Sequence, residues 1–235
     1  MALPQLNAPS YEMVVPSTGD TVKYRPFLIK EQKVLMIAQE TGNEKDMARA
    51  MCDIVKSCTD GQIKDPQKLP TFDIEYMFLQ LRAKSTGAEV ELQITCPDDG
   101  ETKVPVTINL EEVGVEKADD HSTEIMITDN IGLKMKYPSM MDISKYQVGK
   151  TKTVDLTFGI IKDCLESIFD EEQVYEDMPK KELDEFIESM NTEQFGKLQK
   201  FFDTMPKVKH TIKVTNPKTN VESDVTIEGM QNFLG

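Results

Sequence analysis

The chain has 235 residues, with 41 Asp and Glu against 27 Lys and Arg and a formal net charge of -14. That field repels phosphate backbones and anionic membranes, so neither nucleic acid nor a membrane surface is an expected partner. The length suits one large or two small domains with a real core, and no run approaches the roughly 18 apolar residues of a membrane helix.

The opening "MALPQLNAPSYEM" has neither the basic start nor the apolar run of a secretory signal. An extended N-terminal arm is expected over 1–10, ordering against a partner. The cysteines at 52, 58, 96 and 164 are read as reduced, mostly buried thiols of a cytosolic protein. Fourteen methionines and no tryptophan fit adaptable packing surfaces or Met-rich cores.

"YEMVV" and "TVKYRPFLI" flank the turn "PSTGD" and predict a hairpin. A short helix from about Lys30 to Gly42 follows, with Val34, Leu35, Ile37 and Ala38 expected inward. Asn43 caps a clearer helix whose Met47, Ala50, Met51, Ile54, Val55 and Cys58 form one face. "LPTFDIEYMFLQLRAKSTG" predicts a helix capped by Thr71 and ended by Gly87, apolar on two faces and therefore buried on several sides. A second hairpin, "AEVELQITC" to "TKVPVTINL", turns at "PDDGE", and Pro105 favours an edge position.

The acidic run "EEVGVEKADDHSTE" marks a boundary, giving a hairpin-helix-hairpin domain over 11–118 and another over 119–235. In the second, "TEIMITDNIGLKMKYPSM" predicts a hairpin. Val154, Phe158, Ile161, Leu165 and Ile168 predict one long helix, and Pro179 begins another. Asn191 or Thr192 caps a third, and "KVKHTIKVTNPKTNVESDVTI" closes the chain as a hairpin. The fold class is α+β. "DIVKSC" matches "GIIKDC", "VKYRP" resembles "MKYP", and "ITCPDDG" resembles "VTNPKTN" with Asn220 in the place of Gly100. These likenesses fit a divergent internal duplication or, equally, two unlike α+β halves.

No phosphate loop, dinucleotide fingerprint or nucleophile elbow is present, and His121 and His210 are the only histidines. A solvated or hydrogen-bonded role is the expectation for both. Paired acids such as Asp98-Asp99 and Asp119-Asp120 occur in polar loops, where they carry no sign of acid–base chemistry. Cys96 opens a zinc-knuckle-like turn but has no partner thiol, and Cys52 and Cys58 lie about 240° apart around one helix. No catalytic residue, cofactor or metal site is expected. Lys197, Lys200, Lys207 and Lys209 form a local positive stripe read as a solvated face. Phe72, Tyr76, Phe201, Phe202 and Met205 are the candidates for a partner interface, with a core role equally open.

Two blocks, "KLPTFDIEYMFLQLRAKSTGAEVELQITC" and "LQKFFDTMPKVKHTIKVTNPKTNVESDVTIEGMQNFLG", resemble the baseplate hub and hub-assembly proteins of T-even-type contractile-tailed bacteriophages. Hairpin turns in that family can carry paired cysteines, from which this chain departs at both turns. The resemblance implies a non-enzymatic virion protein of the tail baseplate, assembled in the host cytoplasm. Its partners would be other hub or tail proteins, in homo- or hetero-oligomers, with exposed hairpin edges available to neighbouring strands. The alternatives are a tail-assembly chaperone absent from the mature virion and a carboxylate-dependent cell-wall hydrolase.

Overall fold

The computed structural model describes residues 8–146 and 153–233, so most of the expected arm lies outside the described residues. In chain order the strands and helices are β1 (Tyr11–Val14), β2 (Thr21–Tyr24), α1 (Ile29–Thr41), α2 (Glu44–Cys58), α3 (Thr71–Thr86), β3 (Glu89–Thr95), β4 (Lys103–Asn109) and β5 (Gly114–Glu116). Then come β6 (Glu124–Met126), β7 (Gly132–Met135), α4 (Met140–Ser144), α5 (Thr153–Cys164), β8 (Leu165–Phe169) and β9 (Val174–Tyr175). The last are α6 (Lys180–Glu188), α7 (Thr192–Thr204), β10 (Lys207–Thr215) and β11 (Glu222–Glu228). The fold is α+β, with small antiparallel sheets.

Two compact units are present: Met1–Glu116 with Lys207–Gly235, and Lys117–Pro206. This departs from the expected second domain of 119–235. Its final hairpin belongs to the first unit because β10 pairs antiparallel with β5, with Lys207 opposite Glu116 and Lys209 opposite Gly114. The second unit is therefore inserted between two strands of one sheet.

The first unit is organised by α3. Ile74, Met77, Leu79 and Leu81 are fully buried on different sides of it, as an all-round apolar helix requires. Pro70, and not Thr71, is its N-cap residue. Asp73 is buried with them and accepts hydrogen bonds from the Ser17 backbone N at 2.9 Å and the Ser17 hydroxyl. Glu75, half-buried, accepts from the Met230 backbone; burial pushes its carboxyl up to about 7.

Helix α1 turns a different face inward from the one expected. Glu31 and Ala38, seven residues apart, are buried, while Val34 and Ile37 are exposed and Leu35 is half-buried. The reason is Glu31, which accepts from Arg25 Nη2 at 2.9 Å, Ser57 Oγ at 2.8 Å and the Leu28 backbone N at 2.8 Å. Burial alone would raise its pKa, but these bonds outweigh it and hold the carboxyl at about 2. A fully bonded carboxylate can stand inside where a bare one cannot.

In the second unit, β6-β7-β8-β9 form one sheet. Its core is Ile127, Leu133, Met135, Ile161, Cys164, Leu165, Leu183, Ile187, Leu198 and Phe201. The expected long helix through Ile168 stops at Cys164, and "LESIF" becomes β8, pairing Leu165 with Met135 and Ile168 with Leu133. Tertiary pairing here overrides a helical spacing that short apolar runs satisfy equally well. Gly132 is needed in β7, since a Cβ there would stand 2.2 Å from the Phe169 ring. Asn191 caps α7 in a reciprocal pair with Gln194, at 2.9 Å each way.

The internal likenesses fall on comparable places. The Arg25 backbone N donates to Cys58 O at 2.9 Å at the end of α2, and the Lys136 backbone N donates to Cys164 O at 2.7 Å at the end of α5, although in the two motifs Lys136 matches Lys23 and not Arg25. Gly100 and Asn220 occupy matching turn positions, with φ of 67° and 60°.

Arg25→Ala, which strands a buried carboxylate, is expected to cost about 3 kcal/mol in urea unfolding, with part recovered by adding Glu31→Leu. Because the folded pKa of Glu75 lies above its unfolded value, its contribution is full below about pH 4.5 and is lost as pH rises through about 7. Glu75→Gln should flatten the stability–pH curve across that window. Since Glu116 and Lys207 are cross-strand partners, replacing 117–206 with a four-residue hairpin turn should leave a cooperatively folding first unit, read by circular dichroism and thermal melting.

Candidate interaction surface

The turn flagged for metal chemistry holds a hydrogen-bonded clasp. Asp98, in the β3–β4 turn, accepts from Asn216 Nδ2 at 3.0 and 3.1 Å and from the Thr219 hydroxyl, both in the β10–β11 turn. Asn216 is 1% exposed, and its Oδ1 accepts from the Lys218 backbone N, so both ends of its amide are used. Asp99 accepts from the backbone N of Glu101 and Thr102 and from the Thr102 hydroxyl. The bonds from Thr219 and Asn216 hold Asp98 below the usual carboxylate range, and those from Thr102 and Glu101 do the same for Asp99. Asn216 thus does at one turn what a second thiol would do in a zinc knuckle: it ties two hairpins together.

The cysteines do not converge. Each is buried and free, and burial pushes the Cys52 and Cys58 thiols up to about 11 and Cys164 up to about 12, which keeps them protonated and unreactive. Among the described residues no three His, Cys, Asp or Glu side chains are grouped to hold a metal ion.

Below the clasp, β3 and β11 run side by side without pairing and border a cleft of about 580 Å³. A second feature of the same unit lies on α1. Ile29, Met36 and Ile37 are 79%, 56% and 53% exposed, and Val34 adds to them. Met36 also borders a groove of about 480 Å³ lined by Met47, Met51, Met230, Phe27 and Phe78. Methionines make such a groove deformable.

The five residues picked out as interface candidates divide between the units. Phe72 is 4% exposed and Phe201 2%, so both are core side chains; Tyr76, Phe202 and Met205 are half-buried and reach the surface. Phe201 stacks on Tyr137 at 5.7 Å and lies 5.2 Å from His121, with Phe202 edge-on at 5.0 Å. His121 is bonded at both nitrogens, Nδ1 to Thr204 Oγ1 at 2.9 Å and Nε2 to Tyr137 Oη at 3.0 Å. His210 lies within β10, opposite Ile227 of β11.

The four lysines of the stripe divide between the two units, and each has a partner within its own unit. Lys197 donates to the Met126 and Ile127 carbonyls, Lys200 pairs with Asp120, and Lys207 and Lys209 pair with Glu228. The exposed face of α1 escaped the sequence pattern because its apolar residues surround the helix. The readable signal was Glu31 six residues after Arg25, a pair able to claim the inward side.

Among the described residues the open surfaces include an apolar helix face and the unpaired edges of β3 and β11, which are features that other chains cover. Over residues 8–235 the chain matches the family model described as T4 bacteriophage base plate protein, and it belongs to that family. It is a T4-type phage baseplate protein with a structural role. No curated protein and no solved structure matches it.

Asp98→Ala should speed amide exchange at both 97–100 and 217–220, although only one turn is altered. Acceleration at 97–100 alone would show that the clasp does not hold the second turn.

Proposed function

We propose that the chain is a structural or assembly component of the baseplate hub, working by burial of surface against other hub or tail proteins during tail morphogenesis in the host cytoplasm. The observation that carries this reading is the exposed apolar face of α1 beside the methionine-lined groove. Solvated apolar side chains at 29, 34, 36 and 37 gain roughly 25 cal/mol per Å² when a partner covers them. Lys30 and Lys33, also exposed, lie among them and make that face basic as well as apolar. Tyr76, Phe202 and Met205 supply further half-exposed contacts, while Phe72 and Phe201 act by holding their helices in place.

The test is complementation of phage lacking the protein with the full chain carrying Ile29→Glu and Met36→Glu. The expected outcome is an unchanged melting curve and at least a tenfold fall in baseplate incorporation; undiminished incorporation would count against the face. Mass spectrometry of purified particles then separates the two non-enzymatic readings. Several copies per particle support a built-in part, and absence from the particle supports the chaperone.

A further inference from the structure

The cleft between β3 and β11 is shaped by two strands that end at the same clasp, and its rims can be read from hydrogen-bond alternation. In antiparallel pairs, every second residue bonds across the pair and the residues between point their backbone groups the other way. In the first hairpin the Cys96 backbone N donates to Thr102 O at 2.8 Å and that of Leu110 to Ala88 O at 2.8 Å, which sets the phase. Val90, Leu92 and Ile94 therefore bond to β4, and Glu91, Gln93 and Thr95 turn their N–H and C=O groups toward the cleft. In the second hairpin the Asn216 backbone N donates to Val221 O at 3.0 Å and that of Gly229 to Val208 O at 3.0 Å. By the same phase Asp224, Thr226 and Glu228 face away from β10, and among the described residues only the Glu228 carbonyl is occupied, by Asn232 Nδ2 at 2.7 Å.

Pro105 makes the asymmetry meaningful. It lies opposite Gln93 at a position whose N–H would point off the outer side of β4, so that edge is blunted and the β3 edge is not. The floor of the cleft is apolar, from Leu92, Ile94, Val225 and Ile227. On the solvent side Glu89, Glu91 and Asp224 are exposed, and among the described residues they have no ion-pair partner. The bonded side of β11 shows what satisfies such a rim. β10 is "KVKHTIKVT", and its Lys207 and Lys209 pair with Glu228 and its Lys213 with Glu222.

We infer that this cleft receives one extended strand of another protein, alternating apolar residues onto the floor with lysine or arginine on the outer face. Resting on the structural reading above, it names how one contact is made. β3 runs toward the clasp and β11 away from it, so the guest lies antiparallel to one rim and parallel to the other. It completes a sheet ordered β4-β3-guest-β11-β10-β5. The five rim residues from Glu91 to Thr95 give a guest segment of about 17 Å. A second copy docking through its own β3 or β11 edge is a poor guest, because those edges carry the same acidic side chains.

The test uses the full chain and a capped peptide "KVKHTIKVT", with "KKKHTTVVI" as a control of the same composition. The expected result is at least tenfold slower amide exchange over 91–95 and 224–228 with the alternating peptide, none over 103–107, and no protection by the control. Gln93→Pro with Thr226→Pro, which removes two rim donors and no bond within either sheet, should abolish the protection. Should that chain not fold, Glu91→Lys with Asp224→Lys should weaken protection by the basic peptide and confer it on "EVEHTIEVT". Equal protection by both starting peptides, no protection of the wild type, or protection that survives these substitutions would overturn the inference. So would sedimentation showing that two copies cover the cleft. In particles, normal incorporation of the folded double-proline chain sinks the guest strand alone, whereas absence of the wild type from particles sinks the built-in role and leaves the peptide result standing.

Discussion

The pairing of β10 with β5 is the constraint on which the rest of the first unit depends. Three residue pairs bring the chain back across the whole of 117–206, and the cost of closing so long a loop rises only slowly with its length. Once β10 is docked, β11 follows through its own hairpin, and the two hairpin turns meet. The Asp98 clasp is then available, and so is the cleft beneath it. Without that pairing the two turns would remain two unrelated loops.

A second constraint comes from charge. The chain is acidic, yet both of its buried carboxyls among the described residues, Glu31 and Asp73, accept hydrogen bonds. Glu31 is held ionised by Arg25, Ser57 and a backbone amide, whereas at Asp73 burial outweighs two bonds from Ser17 and raises the carboxyl above its ordinary value. Glu31 also decides which way α1 rolls, since satisfying one carboxylate is worth more than hiding Val34 and Ile37. An apolar face is thereby left outside. A buried ion pair therefore sets which apolar side chains of the same helix stay exposed.

Much of the local structure was legible in the residues. Asn43 and Asn191 announced their helices, the all-round apolar α3 announced its burial, and the turns at Gly100 and Asn220 announced their left-handed backbone. These depend on neighbours within a few positions, where steric and hydrogen-bond rules act directly. "LESIF" was not legible, because a short apolar run fits the end of a helix as well as a strand, and only β7 beside it decides. The face of α1 was hidden for the same reason, its partner being 26 residues away at Ser57. Of the candidate interface, the residue types were legible and their exposure was not: Phe201 and Phe202 are adjacent in sequence, one in the core and one at its margin.

The sequence by itself determined the α+β class, the hairpins, most helix boundaries and the likeness of two turns, because each follows from periodicity, capping and backbone sterics over short distances. It also excluded the familiar catalytic motifs and, by the absence of a partner thiol, a zinc knuckle at Cys96. Only the tertiary structure decided that the last hairpin joins the first unit, that Asn216 binds Asp98, and that β3 and β11 are left as facing, unpaired edges. Those outcomes rest on contacts between residues some 90 or more positions apart, and pairing between distant strands is chosen by the collective burial of the whole unit.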